Sequence, residues 1–276
     1  MHVSIVMAYV NRKAQIDFTL RTLCQSEHKD FDVIVVDDVS STDQQLDNLA
    51  EEYSSQFPIK LIKIRPEEKW HSNPCIPYNI GFREAKGDII LIQNPECCLR
   101  GDVISASLNI DENTYLVFQT YGASQELTNK LHLLPDNDLF NGIDFCLNPK
   151  VVQQNWALNL GWYCHHIYRP FPWHFATAIT RNNLRKLRGF DERYAIGIQF
   201  DDDEFLERII RLGLTIKFVV DENLYAVHQW HDPCESFIQQ FWERAEYNRK
   251  IYMERTLKEN IYAAPENKYF NDISTF

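Results

Sequence analysis

Val-Ser-Ile-Val-Met-Ala-Tyr-Val-Asn-Arg (residues 3–12) and Phe-Asp-Val-Ile-Val-Val-Asp-Asp (31–38) are two apolar runs, each closed by polar residues. Between them Ile16, Leu20 and Leu23 recur at helical spacing over 14–26, which predicts a strand, a helix and a strand. The alternation continues with a helical pattern at 44–55, a strand at 59–64, a helix at 76–86 and a fourth strand at 88–93, closed by Asn94, Pro95 and Glu96. Strands joined by helices at this spacing imply right-handed crossovers and a largely parallel sheet covered on both faces, the α/β class. Ligands of such sheets bind beyond the carboxyl ends of the strands. The residues that follow strands one, two and four are therefore the candidates: Tyr9, Asn11 and Arg12, then Asp37 and Asp38, then Asn94 and Glu96. Each group alone is ordinary turn chemistry. Three groups on one edge make a candidate site.

After residue 100 the pattern loosens. A strand is expected at 114–120, a helix at 124–134, and an irregular stretch at 135–169, where Trp156, Trp162, Tyr163, His165, His166 and Tyr168 serve core packing or face a sugar ring. Then come a strand at 175–180, a helix from Arg181, strands at 215–220 and 225–228, and a helix at 235–256 with Phe237, Phe241 and Tyr252 along one stripe. Residues 257–276 read as a polar tail. No repeat or linker interrupts the chain, so the second half is expected to complete the sheet of the first.

A second decisive stretch runs from Gly189-Phe190-Asp191-Glu192 to Asp201-Asp202-Asp203-Glu204, followed by Phe205, Leu206, Ile209, Ile210 and Leu212. Acidic residues suit a helix start, where free N–H groups and the macrodipole favour negative charge. The apolar stripe behind them requires that this helix be packed, with its carboxylates held against the body of the protein.

A 276-residue chain that is 45% hydrophobic and 13% aromatic can bury a sizeable core. Its net charge of -11 argues against a nucleic-acid partner. No signal-peptide pattern or membrane-length apolar run is seen, so the expectation is a soluble, cytoplasmic protein. Cys24, Cys75, Cys97, Cys98, Cys146, Cys164 and Cys234 show no CxxC spacing and are expected to be reduced. Neither G-x-G-x-x-G nor the P-loop motif occurs, which excludes the usual dehydrogenase and kinase nucleotide sites.

Taken in order, these segments resemble the inverting glycosyltransferases of the GT-A fold, family 2 and its galactosyltransferase-like relatives. Residues 3–12 are similar to that family's first strand and Asn-Arg loop, and 31–43 to its V-V-D-D-G-S-x-D segment. Asn79-Ile80-Gly81 with Ala85-Lys86-Gly87-Asp88 matches the approach to the D-x-D motif, and 189–192 and 201–213 match G-F-D-E and E-D-x-D/E. The resemblance implies a GT-A sheet in a single domain over 1–256. Within it, 1–100 would be a nucleotide-binding half, 101–235 an acceptor and metal half, and 236–256 a C-terminal helix. It further implies transfer of a hexose or N-acetylhexosamine from a nucleotide diphosphate sugar, UDP by expectation, to a saccharide acceptor. Ala8, Tyr9, Arg12, Asp38, Asn79 and Asn94 would then contact the nucleotide. Glu96 with His228, or with His231 in its place, would hold Mn²⁺ or Mg²⁺. Asp202 would be the catalytic base, with Asp201 beside it. The chain departs from the pattern at Asn94-Pro95-Glu96 in place of D-x-D, Val39 in place of glycine and Tyr78 in place of arginine. A nucleotide-sugar-binding protein without transfer activity is the second reading, and a nucleotidyltransferase the third.

Overall fold

The computed structural model describes residues 1–147, 160–232, 240–265 and 267–271. Strands β1 (Val3–Tyr9), β2 (Phe31–Asp37), β3 (Ile59–Lys63) and β4 (Ile89–Gln93) lie parallel in the order β3-β2-β1-β4. Helices α1 (Lys13–Leu23), α2 (Asp47–Tyr53) and α3 (Cys75–Glu84) connect them, as the alternation predicts.

The strands are apolar on both faces because two cores use them. Val3, Ile5, Met7 and Tyr9 pack with Ile16, Leu20 and Leu23 of α1, whereas Val6 faces Ile76 and Ile80 of α3. Such burial stabilises by about 1.5–3 kcal/mol per large side chain. Helix α3 sits close to the sheet: a Cβ on Gly81 would lie 2.5 Å from a Val6 methyl.

The second half completes the same sheet, as expected, but largely with antiparallel partners. Strand β5 (Cys97–Arg100) follows β4, then helix α4 (Val103–Ser107) and the nine-residue β6 (Thr114–Gly122). Helices α5 (Gln125–His132) and α6 (Leu139–Leu147) precede β7 (Gly161–Cys164) and β8 (Ala176–Thr180). Helices α7 (Arg181–Leu187) and α8 (Asp201–Arg211) lead to β9 (Thr215–Val219), β10 (Tyr225–His228) and α9 (Phe241–Ile251). Strand β8 runs antiparallel between β4 and β6, which places Ala176 opposite Gln93. The first half of β6 pairs with β9, and its last four residues pair with β10. Strand β10 in turn lies antiparallel to β5, with His228 opposite Cys97. The fold is thus the mixed, mainly parallel α/β sheet expected.

Two sequence readings need amendment, the loosely patterned stretches and the tail. Strand β5 and helix α4 occupy a region with no clear period, and α6 and β7 lie within the stretch read as irregular; β5, α4 and β7 are only four or five residues long, and α6 buries just Leu139, Ile143 and Leu147. The expected helix at 235–256 is described from Phe241, while 235–239, Trp156 and Cys234 lie outside the described residues. The tail is not free over its described part. Ala264 N donates to Leu187 O at 2.9 Å, and buried Asn267 donates to the carbonyls of Arg188 and Phe190. Finally, Val39 occupies the left-handed region at φ +65°. The resembled family uses glycine there, so this β-branched residue carries strain of about 1–3 kcal/mol beside the candidate site.

Candidate active site

The antiparallel β5–β10 register builds the first cluster. Because Cys97 lies opposite His228, Glu96 falls against the end of β10, and Gln229 fixes its carbonyl through N (2.9 Å) and Nε2 (3.0 Å). The His228 and His231 Nε2 atoms come to 3.5 and 3.9 Å from Glu96 Oε1, and potential ligand atoms of all three residues lie within 4.8 Å of one another. The sequence offered the two histidines as alternatives; the structure gathers both.

Arg12 Nη1 lies 2.8 Å from Glu96 Oε2. The approach is off the direction of a hydrogen bond, so that buried oxygen has no donor among the described residues. Burial opposes ionisation of Glu96, yet the charges of Arg12, His228 and His231 hold its carboxyl well below the usual range. Burial and the Arg12 charge push His231 down to about 4, leaving at neutral pH the uncharged imidazole that metals bind. A buried carboxylate with an unanswered lone pair beside two imidazoles fits a divalent cation of the Mn²⁺ class.

The second cluster opens α8. Gln199 and Phe200 both hold positive φ (+61° and +65°), and Phe200 supplies no side-chain cap. The four following carboxylates each take a different partner. Asn73 Nδ2 donates to Asp201 Oδ1 at 2.8 Å, His174 Nδ1 lies 2.6 Å from Asp202 Oδ1, and Trp173 Nε1 donates to Asp203 Oδ1 at 3.2 Å. Glu204 is bridged twice by Arg208, at 2.5 and 2.7 Å. The run is therefore more than a solvated cap. Asp201 is buried, whereas the Asp202 side chain is 36% exposed and open to a proton donor.

Burial and the neighbouring Asp202 charge raise Asp201 to about 6. The folded protein thus holds this proton more tightly than the unfolded chain, whose carboxyl ionises near 4, and stability is lost as pH rises through that interval. Asp201→Asn is expected to raise stability by about 2–3 kcal/mol at pH 7.5 and to change it little at pH 4. Thermal unfolding at the two pH values checks this; an equal effect at both would contradict it.

Tyr78 and Phe175 join the clusters. The Tyr78 hydroxyl donates to Asn94 Oδ1 (2.9 Å), and its ring meets His174 edge-on at 5.8 Å. Asn94 N donates to Phe175 O at 3.0 Å, and the Phe175 ring meets His228 edge-on at 5.8 Å. Tyr163, from the aromatic stretch, lies 4.9 Å from His228 and 5.7 Å from Phe175, so the three rings form one cluster.

At the ends of β1 and β2 the expected contacts are partly rearranged. Ala8 is half-buried at the open edge. The Tyr9 side chain turns inward: its ring lies in the core, its hydroxyl donates to Gln44 O (2.6 Å), and burial raises it to about 12. Asn79 turns inward likewise. Fully buried, its amide donates to Phe190 O (2.9 Å) and Glu192 (3.0 Å) and accepts from Phe190 N (2.8 Å). This explains the glycine of the 189–192 segment: Gly189 has φ +67°, and a Cβ there would lie 2.3 Å from Asn79 Oδ1. Asn94 is spent on Tyr78, and Arg12 faces Glu96. Asp38 stays at the edge with both oxygens engaged, one by Lys69 and the other by His71 Nε2 at 2.9 Å. Sequence reasoning missed Lys69, His71, Asn73 and His174, whose partners lie about 30 to 130 positions away.

Residues 4–171 match the model of Glycosyl transferase family 2. The chain belongs to that family. The match contains Glu96 and Asp38 and ends before His174, Asp202 and His228. Over 128 residues the chain is 28% identical to an uncharacterized glycosyltransferase of Haemophilus influenzae, spanning 46% of this chain and 40% of that relative. Among solved structures it resembles S. aureus TarS 1-349 in complex with UDP-GlcNAc, with TM-score 0.58, 19% identity and coverage of 85% and 60% of the two chains. It also resembles the mannosyltransferase PcManGT from Pyrobaculum calidifontis in complex with GDP-Man and Mn²⁺, with TM-score 0.56, 15% identity and coverage of 98% and 66%. At these identities the likeness is one of fold. Among the described residues no helix of this family 2 chain is long and apolar enough to cross a membrane.

Proposed function

We propose that the protein is an inverting glycosyltransferase that moves a hexose or N-acetylhexosamine from a UDP-sugar to a saccharide hydroxyl. The observation that carries this reading is the pairing of two unlike acidic clusters at the strand ends. Glu96 with His228 and His231 is a cation-binding set, and Asp202 with His174 is an oriented, accessible carboxylate. Membership of family 2 and a solved neighbour that holds a sugar nucleotide agree with it.

In this reading Glu96, His228 and His231 would hold Mn²⁺ or Mg²⁺, which when bound neutralises charge developing on the leaving diphosphate. Asp202 accepts the acceptor's hydroxyl proton as that oxygen bonds to the anomeric carbon. The bond to the diphosphate breaks with its electron pair passing to the phosphate oxygen, and one direct displacement inverts the configuration. His174 keeps one Asp202 oxygen fixed so that the other faces the acceptor. Asp38 receives the base. Its oxygens already accept from Lys69 and His71 and keep further lone pairs for a base N–H. An acceptor flanked by the Lys69 ammonium, itself a donor for a base carbonyl, suits uracil, which presents one N–H between two carbonyls.

The test is thermal stabilisation by UDP, GDP, CMP and TDP, each with Mn²⁺, Mg²⁺ or chelator, since a ligand of the native state raises the melting temperature. UDP with Mn²⁺ is expected to give the largest shift, and chelator to remove it. A shift indifferent to metal would overturn the metal assignment, and preference for GDP would overturn the base assignment. Metal-dependent hydrolysis of a UDP-sugar then separates a transferase from a pure binder.

A further inference from the structure

Arg12 stands where a diphosphate contact was expected, but its guanidinium faces a metal ligand. Nη1 lies 2.8 Å from Glu96 Oε2, whose side chain is 3% exposed, while the two imidazoles approach the other oxygen. Two cations cannot share one carboxylate cheaply at this depth, because a divalent ion on Glu96 would lie within a few ångströms of the guanidinium in a low-dielectric setting. The helix that follows does not attract Arg12 elsewhere in the protein itself. Helix α1 has no acidic residue in its first turn and no side-chain cap, and Lys13 is its first residue. Its N-terminus, with Arg12 and Lys13, is short of negative charge until an anion arrives.

We propose that Arg12 is a positioning residue that makes metal binding depend on the donor. In the empty protein it stands in for the metal, keeping the buried Glu96 charge paired. When donor and metal enter together, the diphosphate takes over the guanidinium and leaves Glu96, His228 and His231 to the cation. This rests on the metal reading proposed above. Its thermodynamic content is a positive coupling between nucleotide and metal, equal in both directions, to which this side chain adds beyond any direct contact of the diphosphate with the cation.

Titration of Mn²⁺ into the full chain, with and without UDP, tests it without any assay of transfer. In the wild-type protein UDP is expected to tighten Mn²⁺ binding by about tenfold or more. Arg12→Gln is expected to bind Mn²⁺ alone about tenfold or more tightly than wild type, and to show a UDP effect smaller than wild type by about the same factor. Arg12→Lys, which keeps the charge, is expected to restore wild-type behaviour, a rescue that a packing role would not give. The wild-type protein alone keeps the test open should Arg12→Gln fail to fold: equal Mn²⁺ affinity with and without UDP overturns the proposal. Unchanged or weaker Mn²⁺ binding by a folded Arg12→Gln also overturns it, with the metal reading left standing if Mn²⁺ binds wild type. Absence of Mn²⁺ binding under every condition removes the metal reading and this proposal together.

Discussion

Asp202→Asn is expected to lower transfer by about 10²- to 10⁴-fold, the range for loss of a positioned general base, while UDP affinity stays within a few-fold of wild type. The expectation follows from how the first turn of α8 divides its carboxylates. Asp201 is buried on Asn73, Asp203 accepts from Trp173, and Glu204 is closed by Arg208. Asp202 combines a 36% exposed side chain with a fixed orientation, given by His174 at 2.6 Å. Asparagine keeps the shape and removes the proton acceptor, and no nucleotide contact assigned above involves this residue. Initial rates at saturating donor, with UDP titrated separately, decide the matter. Near-normal turnover would displace Asp202 from the mechanism, and a parallel collapse of UDP affinity would show that the substitution disturbs the fold.

The largest expected effect on stability belongs to Arg208. Its side chain is 1% exposed and makes two hydrogen bonds to Glu204, one to Leu187 O (2.7 Å) and one to Gly189 O (3.0 Å). Arg208→Leu leaves Glu204 charged or newly protonated in the core and strands two carbonyls, so a loss of about 3–5 kcal/mol is expected. Replacing Glu204 and Arg208 together by leucine is expected to recover part of that loss, because no unpaired charge then remains. Urea unfolding of the three proteins measures both steps; a loss under about 1 kcal/mol for Arg208→Leu would contradict the account. The same bonds tie α8 to the 187–189 turn, so this residue also sets where Asp202 stands.

Much of this architecture was legible in the sequence because local pattern and global fold agree there. The four strands up to Gln93 and their helices carry clear periods and turn residues, and β1 even divides its alternate residues between two cores as a buried parallel strand should. The acidic start of α8 was legible because charge followed by an apolar stripe has one sensible placement. Strands β5 and β7 were not, being four residues each and mostly buried. Residues that gather at the sheet edge were readable when they sat at predicted strand ends, as Asp38, Glu96 and His228 do. They failed where the side-chain direction mattered: Tyr9 follows the inward phase of β1, and Asn79 turns towards the 189–192 segment. His174 and His71 carry no sequence signal of their own; only pairing of β8 with β4, and a loop folding back on Asp38, bring them into place.

The central claim is a donor site bridged by metal at Glu96. Calorimetric titration of UDP into wild type and Glu96→Gln, in Mn²⁺ and in chelator, tests it most directly. The account predicts tight binding to wild type in Mn²⁺, weak binding in chelator, and weak binding to Glu96→Gln in both. UDP binding to wild type that is equally tight in Mn²⁺ and chelator, or a Glu96→Gln protein that retains the full Mn²⁺ effect, would contradict it.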